Sequence, residues 1–183
     1  MTLECIPHAR TFRNDYIGLF FISYIDQPES LDIHFLECPS NNVDSNPQWI
    51  CSVTPAHGEL STHIALHDNR TFAHDPDFPL TLLFNKSNYR YSEPWYYGVS
   101  HAMVFVFMFR PNDHVRLSQS PSGGGKENPA WDFQGFIPKF KLGRRYRFVM
   151  RALYLPFESR EQIIKATASH RTALSRDWTP ASR

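Results

Sequence analysis

The chain has 183 residues, 42% of them hydrophobic, 15% aromatic and 20% charged, so it can bury one sizeable core and is too apolar for a disordered chain. A formal net charge of +1 supplies no general field for nucleic acid or an acidic membrane surface, and no run of about 18 apolar residues occurs. With no secretory leader in MTLECIPHAR, the expectation is a cytoplasmic protein with neither a nucleic-acid nor a membrane partner.

In chain order, Tyr16 to Ile25 (YIGLFFISYI) is apolar on both alternating sets, the pattern of a central strand covered on both faces. Leu31 to Glu37 instead sets Leu31, Ile33 and Phe35 against Asp32 and His34, a strand with one wet face, and the turn residues of Asp26 to Ser30 predict a hairpin between the two. Pro39 to Pro47 reads as loop, Gln48 to Val53 as a short strand, and Thr54 to Pro79 as a long irregular connection rich in histidine and acid. Strands are predicted over Leu80 to Asn85, Glu93 to Val99, Met103 to Arg110, Val115 to Ser120, Trp131 to Ile137 and Arg145 to Leu155. The last puts Tyr146, Phe148, Met150 and Tyr154 on one face and Arg145, Arg147 and Arg151 on the other.

Ser159 followed by Gln162 resembles a capping box, and Ile163, Ile164, Thr167, His170 and Leu174 recur at helical spacing, predicting a C-terminal helix over 159–174 and a frayed tail over 176–183. The whole reads as one all-β domain over 1–183, an antiparallel β-sandwich with a single short helix. YIGLFFISYI and MVFVFMF, apolar on both sides, need a second cover. The C-terminal helix, a partner subunit in a homo-oligomer, or a further sheet from a missing N-terminal portion would each provide one.

Four constellations are candidates for chemistry, one of them the Arg145, Arg147 and Arg151 face, which suits either bidentate recognition of carboxylate or phosphate or a solvated strand face. In YSEPWYYG, strand periodicity groups Tyr91, Glu93, Trp95 and Tyr97 on one side; a carboxylate among rings suits a sugar, with its apolar CH face and its hydroxyls, but an aromatic packing cluster gives the same pattern. TPAHGELSTHIALHD offers His57, Glu59, His63, His67 and Asp68 for proton transfer, for metal binding or for ordinary loop contacts; HIALH lacks the glutamate of HExxH. SPSGGGK fails as a phosphate loop, because Glu127 stands where Ser or Thr would hold magnesium, while Asp132 just beyond it is placed to orient a ligand hydroxyl. Cys5, Cys38 and Cys51 form neither a CxxC pair nor an even-numbered framework and read as reduced structural thiols. No bound cofactor and no metal is called for.

The segments FFISYIDQPESLDIHF, HGELSTH, YSEPWYYG, SPSGGG and NPAWDFQ together resemble bacterial β-sandwich proteins of unassigned activity that look related to the galactose-mutarotase-like, carbohydrate-binding superfamily. The resemblance implies an antiparallel supersandwich, or its C-terminal part, with a carbohydrate on a sheet face or in the loops. It further implies acid–base chemistry on a sugar's anomeric centre, with His57 or His63 as acid and Glu93 as base, and Glu59, Trp95, Tyr97 and Asp132 at the ligand. Two alternatives stand beside it: a non-enzymatic interaction module that forms an oligomer through an apolar sheet face, and a metal enzyme using His57, His63 and His67.

Overall fold

The computed structural model describes residues 1–10, 14–37, 46–53, 60–73, 85–120 and 127–177. Among them lie β1 (Thr2–Cys5), β2 (Tyr16–Phe21), β3 (Ile33–Glu37), β4 (Gln48–Ser52), β5 (Thr62–Ala65), β6 (Lys86–Tyr91), β7 (Trp95–Ser100), β8 (Met103–Phe109), β9 (Arg116–Ser120), β10 (Ala130–Pro138), β11 (Tyr146–Pro156) and α1 (Arg160–Arg176). The strands form one sheet in the order β1-β11-β8-β7-β3-β6-β5-β9-β10-β2, with β4 paired to β3. The β5–β6 pair is parallel and the others are antiparallel.

The links between strands bring the two ends of this sheet together. β10 and β11 follow one another in the chain yet are seven places apart in the sheet, and only residues 139–145 join them. β4 takes one edge of β3, so β6 and β7 share the other edge end to end, and the sheet divides there into a β5-β9-β10-β2 arm and a β8-β11-β1 arm. β1 and β2, the two ends of the sheet, are likewise consecutive and are joined by residues 6–15. Both links cross the same gap and are stitched together there by Gly143 N–H to the Pro7 carbonyl (2.8 Å) and Lys139 N–H to the Asp15 carbonyl (2.6 Å). A mixed, curled half-barrel therefore replaces the expected two-layer antiparallel sandwich.

The curl separates two apolar clusters. Inside it, Phe35, Tyr96, Phe107, Phe109, Leu117, Trp131, Phe133 and Phe148 form the main core. Outside it, Trp95, Tyr97, Val104, Val106, Met108 and Val149 pack under Ile163 and Leu174 of α1. MVFVFMF is thus apolar on both sides because Phe105, Phe107 and Phe109 face inward while Val104, Val106 and Met108 face the helix. Burying the Ile163 and Leu174 side chains stabilises the fold by about 1.5–3 kcal/mol each. The Ser159 hydroxyl accepts from Gln162 N–H (3.2 Å), starting the helix at the position the capping pattern predicts. With α1 in place, the apolar sheet face that suggested a docking partner is covered by the chain's own helix. Within the main core, Gly98 faces the Trp131 indole, and a β-carbon there would lie 2.4 Å from the ring, so the strand approach depends on its missing side chain.

Several local expectations are corrected. β2 is a terminal strand, not a central one, and it pairs with β10; Asp26 to Ser30 closes no hairpin onto β3. The supposed irregular connection over 54–79 contains β5, whose parallel pairing hides the alternation a hairpin strand would show. Lys86–Tyr91, unassigned from sequence, is β6; only Ser87 and Tyr91 are buried in it, and the exposed Asn88 and Tyr89 break the alternation that would have marked a strand. Most of the strand expected over 80–85, and the glycine loop at 121–126, lie outside the described residues. The basic face of β11 is tied to its neighbours: Arg145 pairs with Glu4, Arg147 with Asp177, and Arg151 lies 2.9 Å from the His170 ring.

Candidate functional site

The gap between the two ends of the sheet holds a concavity. The stacked rings of Phe21 and Phe148 (centroids 5.3 Å apart) seal part of it from within. Beyond them a cavity of about 480 Å³ opens between Leu3 and Phe148 on one side and Leu19, Phe136 and Ile137 on the other. That volume falls within the range of small-molecule sites. Arg70, Asp113, His114, Lys139, Arg144 and Arg147 supply the charged and polar part of the lining.

The cations in this lining differ in how far they are neutralised. Arg70 grips the buried Asp68 carboxylate through two nitrogens (2.7 and 2.9 Å), and Arg147 pairs with Asp177 at 3.1 Å. Burial alone would raise the Asp68 pKa; the Arg70 hydrogen bonds outweigh it and the net shift is downward. The lining's own acid, Asp113, is occupied by Arg110 at 2.9 Å, while burial still lifts its pKa above the usual carboxylate range. Lys139 and Arg144 have no carboxylate partner among the described residues, and Arg144 rests over the Tyr146 ring at 5.5 Å. Lys139 takes a left-handed conformation (φ 48°) directly after β10, which turns the chain across the gap. An apolar trough with two uncommitted cations on the link that spans it is the arrangement that results.

Of the residues favoured by sequence, the described ones lie apart, except Glu93 and Trp95. Tyr91 faces the inner core, whereas Trp95 and Tyr97 face α1, because the bend at 92–94 carries the chain from β6 to β7 and reverses its faces. Trp95 and Tyr97 are 1% and 2% exposed, so neither ring face is offered to solvent. Glu93, 38% exposed at its side chain, lines a cavity of about 540 Å³ with Trp95 and Arg171. Its carboxylate accepts from the Trp95 indole N–H (2.9 Å) and from Arg171, and the Arg171 guanidinium lies 5.0 Å from the Trp95 ring centroid, covering the surface on which a sugar would stack.

His63 is fully buried on β5, with Nδ1 2.6 Å from the Ser87 hydroxyl and its ring against Phe35. Burial, reinforced by Arg90, drives its pKa down to about 3. His67 is exposed in the turn after β5, so HIALH forms a strand and a turn in place of the helical face a metal pair would need. His57 and Glu59 lie outside the described residues. Asp132 points away from the main core but is sealed; among the described residues its carboxylate receives one long 3.4 Å hydrogen bond, from Ser23 N–H, and burial raises its pKa to about 7. Glu93, His63 and Asp132 thus occupy three separate environments, and no acid–base pair forms among them.

Comparison with family models, curated proteins and solved structures yields no match to this chain. No helix among the described residues is long and apolar enough to cross a membrane.

Proposed function

We propose that the domain is a binding module for a small amphipathic anion, held in the gap of the half-barrel. The observation that carries this reading is the joint lining of one cavity by Leu3, Leu19 and Phe148 and by Lys139 and Arg144, cations with no carboxylate partner among the described residues. An alkyl or aryl body would displace water from the trough, and a carboxylate or sulfate headgroup would meet the Lys139 and Arg144 cations. Nothing in this reading requires catalysis.

Decanoate and the uncharged decanol separate the two contributions in isothermal titration. Decanoate binds at one per chain, decanol binds more weakly, and Lys139→Glu or Arg144→Glu weakens decanoate by at least ~10-fold, the equivalent of about 1.4 kcal/mol. No binding, or binding indifferent to both substitutions, overturns the proposal.

The saccharide reading keeps one supporting observation, the partly exposed Glu93 in its own cavity. It requires Arg171 to leave Trp95. Binding to a glycan array that Glu93→Gln abolishes and Lys139→Glu leaves intact would favour it over the seam.

A further inference from the structure

A different part of the molecule carries a constellation of metal-ligating groups. β3 alternation places Asp32 and His34 on one side of the chain, and β4 pairs in register so that Cys51 stands directly across from His34. Tyr97 of β7 is the partner of His34 on its other side, giving the cross-strand row Cys51–His34–Tyr97. One ligand atom each from Asp32, His34 and Cys51 lies within 4.8 Å of the others. The Cys51 thiol donates to the Asp32 carboxylate (2.9 Å), the His34 ring stacks on Tyr97 (4.7 Å), and His34 Nδ1 is buried with no hydrogen-bond partner among the described residues.

We propose that Asp32, His34 and Cys51 bind one thiophilic divalent cation of the Zn²⁺ class, with a fourth position open to solvent. Thiolate, imidazole and carboxylate are the three donor types zinc accepts, and three protein donors plus an open position is the pattern of a reactive or exchangeable centre. Tetrahedral bonds of about 2.0–2.3 Å set donor atoms roughly 3.4–3.8 Å apart. The Cys51–Asp32 contact must therefore open by about half an ångström and any pair near the 4.8 Å limit must close by about 1 Å, shifts on the scale of side-chain rotation.

Loading needs a neutral imidazole and a thiolate. Burial lowers the His34 pKa, so the ring is held in the neutral form that ligates. Burial and the Asp32 hydrogen bond raise the Cys51 thiol to about 11, so the resting cysteine is protonated and is no activated nucleophile. Loading is then an exchange: the S–H bond breaks, the sulfur lone pair forms the bond to the metal, and the proton leaves to solvent. The charged groups that face this exchange are Asp32 and, from α1, Arg160, whose Nε donates to the Tyr97 hydroxyl (3.2 Å) and whose guanidinium lies over Trp49 (4.7 Å); Glu161 acts on Tyr97 behind them.

The test uses the full chain, stripped with chelator, kept reduced and titrated with Zn²⁺ against a chromophoric competitor, then with Co²⁺ for its spectrum. The expected result is one equivalent per chain, a thiolate-to-Co²⁺ charge-transfer band that Cys51→Ser abolishes, and about one proton released per ion when titrations in buffers of different ionisation enthalpy are compared. Asp32→Asn and His34→Gln each weaken binding by ~10-fold or more, on the scale seen when a metal site's supporting groups are removed, while Cys5→Ser binds as the unaltered chain does. Far-ultraviolet circular dichroism checks that each variant is folded; the substitution at exposed Cys51 keeps the shape of the side chain. Absence of Zn²⁺ binding, or a bound equivalent and Co²⁺ spectrum that persist in Cys51→Ser, overturns the proposal.

Discussion

Asp132→Asn should stabilise the protein, and by more at high pH. The Asp132 carboxyl is buried with a single 3.4 Å donor among the described residues, and its pKa moves from 3.8 to about 7 on folding. Because the folded value is the higher, the folded chain holds this proton more tightly. Stability is fullest below the lower value, declines as pH rises through the window between them, and is flat above the upper one. Three pKa units correspond to about 4 kcal/mol, an upper value for a group whose surroundings can relax, of which about 1.6 kcal/mol is already lost at pH 5.

Asparagine cannot ionise, can still accept from Ser23 N–H, and brings an amide that can donate to Ser118, its cross-strand neighbour, whose hydroxyl has no partner among the described residues. The gain over the unaltered chain should therefore grow from about 1.6 kcal/mol at pH 5 towards about 4 kcal/mol at pH 8 in urea unfolding. The contribution of His63, which acts at lower pH, is common to both proteins and cancels in the difference. An Asp132→Asn chain that is less stable at pH 8, or a gain that does not change between pH 5 and 8, would refute the reasoning.

The remaining predictions probe other parts of the account. His63, with a folded pKa of about 3 against 6.5 unfolded, resists protonation in the fold, so stability falls as pH drops below 6.5 and keeps falling towards 3; His63→Gln should flatten that acid limb in urea titrations at pH 4–7. Gly98→Ala places a β-carbon 2.4 Å from the Trp131 ring and should cost at least ~1–3 kcal/mol, partly recovered by Trp131→Phe in a double-mutant cycle. Ser159→Ala removes the helix cap and should cost about 1 kcal/mol. Ile163→Asp should lift α1 from the sheet and produce concentration-dependent association in sedimentation, because Val104, Val106 and Met108 lose their cover.

Strand alternation was legible wherever a strand has one burial pattern along its length. β3, β8, β9, β10 and β11 were placed within a few residues, as was α1, because capping and 3.6-residue spacing are local signals. Pairing was not legible. The assumption that sequence neighbours pair gave a β2–β3 hairpin, while the chain sends β2 to β10 at the far end of the sheet. That error concealed the closure problem, and with it the gap that Lys139 and Arg144 span.

The grouping of Glu93, Trp95 and Tyr97 on one side was sound as periodicity, yet period-two patterning says which residues share a face and nothing about what covers it; here α1 does. Asp32 and His34 were correctly placed on a common face. Cys51 was read as an isolated structural thiol because only the β3–β4 register, set by long-range pairing, brings it opposite His34.

The central claim is that the two ends of one curled sheet enclose a ligand trough, and amide chemical-shift mapping with ¹⁵N-labelled protein and decanoate tests it most directly. Shifts should concentrate at Leu3, Leu19, Gly135, Ile137, Lys139 and Arg144, residues from both ends of the sheet that meet only if it curls. Shifts confined to one of those ends, or centred on Glu93 and α1, would contradict it.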